Sequence, residues 1–211
     1  MPIGRRLEDT VARLAADLRP VRCLPPPSTR AAGWVGLVLA MAAALASFCD
    51  LPALGHRLSV APDMWVSVLG SSTTAVLAAL AAFELCIPGR SVRWALLPVP
   101  SLLLWVSASG LGCLRGWASP VGAAGEAGRC FTHILAMSIP LMAVMAAMVR
   151  RACPLRPNLT ALVSGLAVAA ASATLLNFDH PFDASALDLV AHLAAILSVI
   201  AVNQVVARRT A

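Results

Sequence analysis

Residues Asn158–Phe178 read NLTALVSGLAVAAASATLLNF, 21 positions without a charged side chain. At a rise of about 1.5 Å per residue, such a run coiled as a helix spans the roughly 30 Å hydrocarbon core of a bilayer. Backbone groups in lipid have no water to bond, so a helix is the economical conformation. Five more largely apolar stretches precede or follow it: Trp34–Leu51, Met64–Ile87, Trp94–Leu114, Phe131–Val149 and Ser185–Ala207. The expected fold is all-α. An integral membrane six-helix bundle (residues 31–211) follows a short N-terminal cytoplasmic amphipathic helix and proline-rich spacer (residues 1–30).

Composition agrees. Of 211 residues, 59% are hydrophobic and 12% charged, against about 25% charged in soluble domains. The mean hydropathy is +0.82. Too little chain remains for a separate soluble domain.

All 16 basic residues are arginines. Thirteen fall on one side of the expected spans, in segments 5–30, 90–93, 150–156 and 208–209; only Arg57, Arg115 and Arg129 fall on the other. The positive-inside rule then places both termini in the cytoplasm of a multi-pass protein. Asp50, Asp63, Glu126, Asp179, Asp183 and Asp188 lean to the outer side. The net charge of +6 is thus a topology signal. Scattered over four inner segments, it makes a poor nucleic-acid surface. No cleavable signal peptide is expected, since the first apolar run is a full span and acts as a retained anchor. The expected location is the bacterial inner (cytoplasmic) membrane, with the lipid bilayer as one partner.

In the head, Ile3, Leu7, Val11, Leu14 and Leu18 recur at helical spacing and make one apolar stripe. Pro20 ends this helix, and Pro25, Pro26 and Pro27 form a stiff spacer. The stripe suits either the membrane surface or a groove on a cytosolic partner. Between spans, residues 52–63 read as a short outer loop and residues 115–129 as the longest one. In span 5, Ala161, Gly165, Ala169 and Ala173 form a small-residue stripe that lets a neighbouring helix approach closely. Pro140 is expected to kink span 4.

Six cysteines are present. Cys23, Cys86 and Cys153 fall on the inner side and read as free thiols. Cys113 closes span 3 and Cys130 opens span 4, near the outer face. Three readings of that pair stand together: a disulfide, two thiolates for a soft metal ion, or small apolar residues at helix ends. Cys130 and His133 share a helix face, as do Asp188 and His192. With His180 and Asp183 they could converge near the outer ends of spans 3, 4 and 6, as a metal or redox sensor or as a structural polar network. Such a sensor would take the soft metal ion as its signal; no resident cofactor is indicated. Glu84, near Arg90 and Arg93, reads as half of an interfacial ion pair.

No Walker motif, GxSxG, HExxH or dinucleotide fingerprint occurs, so an enzyme is not expected. A small ion or solute transporter resting on Asp188, His192 and Pro140 is the alternative class, and a redox or haem protein a third.

Several segments resemble one family: residues 14–22 with Pro25–Pro27; Pro88-Gly89-Arg90; Trp94 to Pro98; Gly112-Cys113-Leu114-Arg115-Gly116-Trp117; Arg129-Cys130-Phe131; and His180-Pro181. In this order they are similar to the NrsF-type anti-sigma factors over nearly the whole chain. The resemblance implies a six-span negative regulator of an extracytoplasmic-function sigma factor. The head, through Leu7, Val11, Leu14, Leu18 and Arg19, would hold that sigma factor away from RNA polymerase. A metal or oxidative signal on the outer side would release it, with Cys113 and Cys130 at the family's suspected sensor positions. Some relatives carry a further cysteine beside the proline of the last outer turn. His180 stands there in this chain, which leaves a mixed Cys/His site or a Cys113–Cys130 pair.

Overall fold

The computed structural model describes residues 3–16, 23–60, 62–116, 123–178 and 186–210. Every regular element among them is helical. The chain runs α1 (Ile3–Ala16), α2 (Pro27–Ala46), α3 (Leu51–Val60), α4 (Pro62–Glu84), a 3-10 turn (Val92–Leu96), α5 (Val99–Gly116), α6 (Ala123–Arg150), α7 (Pro157–Leu176) and α8 (Ala186–Thr210). Five described segments are long and apolar enough to cross a membrane: Pro27–Ala46, Met64–Glu84, Val92–Ser109, Phe131–Arg150 and Pro157–Leu176. They overlap the first five expected stretches. The sixth stretch falls on α8, whose apolar described part, Leu193–Val205, is shorter than those five.

The run Asn158–Phe178 lies at the centre. α7 packs against α4, α6 and α8 and touches α2, and nearly all its side chains from Thr160 to Leu176 are buried. Small residues make this crowding physical. Ala161, Ala169 and Ala173 are buried, and a Cβ built on Gly165 would stand 3.0 Å from the Ile200 Cα of α8. The expected small-residue stripe is therefore the seat of close helix approach. Hydroxyl pairs bind the centre further: Thr174 donates to Ser71 at 2.9 Å, Thr74 donates to Ser101 at 3.0 Å, and Ser138 and Ser172 lie 2.9 Å apart. Asn203 of α8 donates to the Ala161 carbonyl at 2.6 Å and to the Ser164 hydroxyl at 2.8 Å.

Four local features differ from the sequence expectation. The first span begins earlier, because Pro27 is the first helical residue; a missing N–H costs nothing there. Only Pro25 and Pro26 remain in the spacer, with Pro26 extended at φ −51°, ψ 150°. Second, residues 52–63 are not a simple loop but contain α3. Asp50 caps it, accepting from the Ala53 amide at 3.1 Å, and Pro52 falls in the first turn, where proline is tolerated. Third, the third span opens as the 3-10 turn before α5. Fourth, α6 begins at Ala123, inside the expected long loop, and runs for 28 residues with Pro140 in its interior, where the sequence expectation puts it.

Candidate functional sites at the two ends of the bundle

Consecutive long helices run in opposite directions, so the bundle has a head end, where α2 begins, and a far end. At the head, α1 presents its described side chains, residues 8–16, to solvent. Val11 is 58% and Leu14 66% exposed. Large aliphatic groups left this open on a helix of mixed charge are the ordinary material of a docking face. Leu18 and Arg19, and the side chain of Leu7, lie outside the described residues.

The far end carries the sensor candidates. Ile134 of α6, Leu176 of α7 and Ala195 of α8 meet in a small buried cluster with Phe131 against it. Cys130 stands one turn before Ile134 on α6, and His192 one turn before Ala195 on α8, so both belong to helices that pack together at this level. His133 is half-buried. Cys113 lies on α5, which leans on α4 and α8. The side chains of Cys113, Cys130, Asp188 and His192, and all of His180 and Asp183, lie outside the described residues. Among the described residues no three His, Cys, Asp or Glu side chains gather as a metal set. Cys23, Cys49, Cys86 and Cys153 are free thiols; Cys86 is buried, and Cys23 and Cys153 are exposed.

The head end holds a junction that the sequence reading missed. Arg30, in the first turn of α2, is only 8% exposed. Its guanidinium donates to the Met148 carbonyl in the last turn of α6 and lies 4.5 Å from the centroid of the Phe83 ring of α4. It also neighbours the Cys86 thiol. The last carbonyls of a helix lack partners inside it. Here Ala147, Val149 and Arg150 are served by the amides of Arg151, Ala152 and Cys153, and Arg30 serves Met148. A cation at this place also meets the negative end of the helix dipole and the face of an aromatic ring. One turn on, fully buried Trp34 donates its indole N–H to the Leu141 carbonyl at 3.2 Å. The available signal was an arginine in the first turn of an apolar span, four residues before a tryptophan.

Two turns complete the head end. Glu84 and Arg90 form the expected ion pair at 2.9 Å, and Arg90 lies 5.7 Å from the Trp94 ring centroid. Arg156 donates to the Arg90 carbonyl at 3.3 Å, tying the turn after α4 to the turn after α6. Gly89 at φ 81° and Cys153 at φ 44° let these turns close tightly.

Residues 14–211 match the family described as NrsF, negative regulator of sigma F. The chain belongs to this family. NrsF membership implies negative regulation of a sigma factor, a regulatory rather than an enzymatic kind of work, and it implies a sigma factor as partner. The NrsF match begins at Leu14, so Leu14, Leu18 and Arg19 fall within it while Leu7 and Val11 precede it. No curated protein and no solved structure matches the chain.

Proposed function

We propose that this protein is a bacterial inner-membrane anti-sigma factor that holds an extracytoplasmic-function sigma factor through its N-terminal helix. The observation that carries the reading is α1 itself. Val11 and Leu14 stand open to solvent on a helix at the edge of the family-matched region. Leu7, Val11, Leu14 and Leu18 are the apolar anchors of the docking face, and Arg19 its charged border. Both termini lie in the cytoplasm, as the asymmetry of the arginines supports.

Release follows a metal or redox signal read on the outer side. Cys113, Cys130, His133, His180, Asp188 and His192 are the candidate sensor groups, with a soft metal ion as one form of the signal. The packing of α6 on α8 supports this, since it brings together the helices that bear Cys130, His133, Asp188 and His192.

The test is co-purification from the host in mild detergent. The full-length protein is expected to bring down a sigma factor. A version lacking residues 1–22, and a Leu14→Asp variant, should insert normally and bring down none. Sigma factor retained by both variants removes the head from the contact, and its absence from the full-length sample removes the anti-sigma reading.

A further inference from the structure

The geometry points to Arg30 and Trp34 as a coupling clamp, through which movement of α6 is passed to the spacer and head. The inference rests on the anti-sigma reading for its biological meaning and on contacts for its mechanics. Both acceptors are α6 backbone carbonyls, Leu141 and Met148. They stand seven residues apart, two turns on one face of that helix. Both donors stand in the first two turns of α2, directly after the spacer that carries α1. The start of α2 is therefore held to α6 by two bonds whose acceptors move only with the α6 backbone, so that a displacement of α6 acts directly on Arg30 and Trp34.

Pro140 is placed to permit that movement. It has no N–H, so the Ala136 carbonyl loses its helical bond and α6 is weakest there. Both clamp carbonyls lie on the head side of Pro140, while Cys130 and His133 lie on the far side. A change at the far end is thus passed through a pivot to the segment that grips α2.

Arg30 makes the junction sensitive, because it also rests on Phe83 of α4. If α6 shifts against α4, the guanidinium must give up either the Phe83 ring or the Met148 carbonyl. Beyond Arg30 and Trp34, α2 is held by apolar contacts alone: only Arg30, Ala31 and Trp34 are fully buried along it, Val35, Leu37, Val38, Met41, Ala42 and Leu45 pack half-buried against the core, and a Cβ on Gly33 or Gly36 would meet nothing within 4 Å. Arg30 and Trp34 are positioning residues, which set where the head stands.

The test uses the full chain in lipid nanodiscs, spin-labelled on the exposed native thiols Cys23, in the spacer, and Cys153, just beyond α6. Cys49, Cys113 and Cys130 are replaced by serine, and buried Cys86 is left in place. The parent should give one narrow distance distribution. Trp34→Phe, which keeps the ring and loses the donor, and Arg30→Gln should each broaden it and shift its mean, with Arg30→Lys partly restoring it. Distributions like the parent's in both Trp34→Phe and Arg30→Gln overturn the clamp, whatever the protein regulates.

In the host, with native cysteines, Arg30→Gln at normal membrane abundance should change the uninduced sigma-dependent reporter about fivefold, the lower range of typical coupling between sites. Deletion of residues 1–22 sets the fully released level. A responsive deletion with parental reporter levels in Arg30→Gln, uninduced and induced, overturns the coupling and leaves the anti-sigma reading standing. A silent deletion overturns the anti-sigma reading, and the spin-label distances then decide the clamp alone.

Discussion

Gly70 of α4 lies flat against Trp105 of α5: a Cβ built on Gly70 would stand 2.9 Å from the Trp105 Cα, N and Cβ alike. Backbone atoms cannot swing away as a flexible side-chain end can. Gly70→Ala must therefore push two helices apart, and overpacking of this kind costs about 1–3 kcal/mol. Gly165→Ala meets the Ile200 Cα at 3.0 Å and is slightly less crowded. Thermal unfolding in detergent should rank the parent above Gly165→Ala and Gly165→Ala above Gly70→Ala. A Gly70→Ala variant as stable as the parent would show that α4 and α5 do not approach this closely.

Asn203 is 4% exposed and gives both its amide bonds to α7. Interhelical hydrogen bonds in membranes are worth about 0.6 kcal/mol on average and about 1.7 at most. A double-mutant cycle of Asn203→Ala with Ser164→Ala should return a coupling in that range. Zero coupling would mean that the two side chains do not meet.

In the Glu84–Arg90 pair the arginine is about half open to solvent and the glutamate is buried. Exposed pairs contribute about 0–1 kcal/mol and breaking a buried one costs about 3–5 kcal/mol. Glu84→Gln, which keeps a hydrogen-bonding group beside Arg90, should therefore lower stability by about 1–3 kcal/mol, with less difference at high salt. Repression should persist. Loss of repression in a well-inserted Glu84→Gln protein would give the carboxylate a working role beyond its ion pair.

Thiol accessibility should sort the head-end cysteines. Cys23 and Cys153 should react with a maleimide in the folded protein, and Cys86 only after denaturation. Peptide mass spectrometry after timed labelling reads this directly. Prompt labelling of Cys86 would mean that the junction beside Arg30 opens readily.

Much of the fold was legible because hydropathy is local. A window of about 20 residues reports whether a segment suits lipid, with no knowledge of its neighbours. The Ala161–Gly165–Ala169–Ala173 stripe and the Glu84–Arg90 pair were legible for the same reason, since each depends on spacing along one short segment. α3 was missed because ten residues containing Pro52 and Gly55 carry a weak helical pattern. Its one clear signal was Asp50, a capping residue placed just before that proline. For the candidate sites, the sequence named Val11 and Leu14, which stand exposed. It passed over Arg30 and Trp34, because it counted Arg30 only as an inner-side charge.

By itself, then, the sequence determined which segments form long apolar helices, how the arginines are distributed between them and the helical spacing of the apolar residues in the head. Only the tertiary structure decided that α7 is the central helix and that Arg30 and Trp34 grip α6. The reason is physical. The acceptors are the backbone carbonyls of Leu141 and Met148, 107 and 118 positions from their donors, and a carbonyl is the same on every residue. Which carbonyl a buried donor meets is fixed by how helices pack, and no side-chain pattern records it.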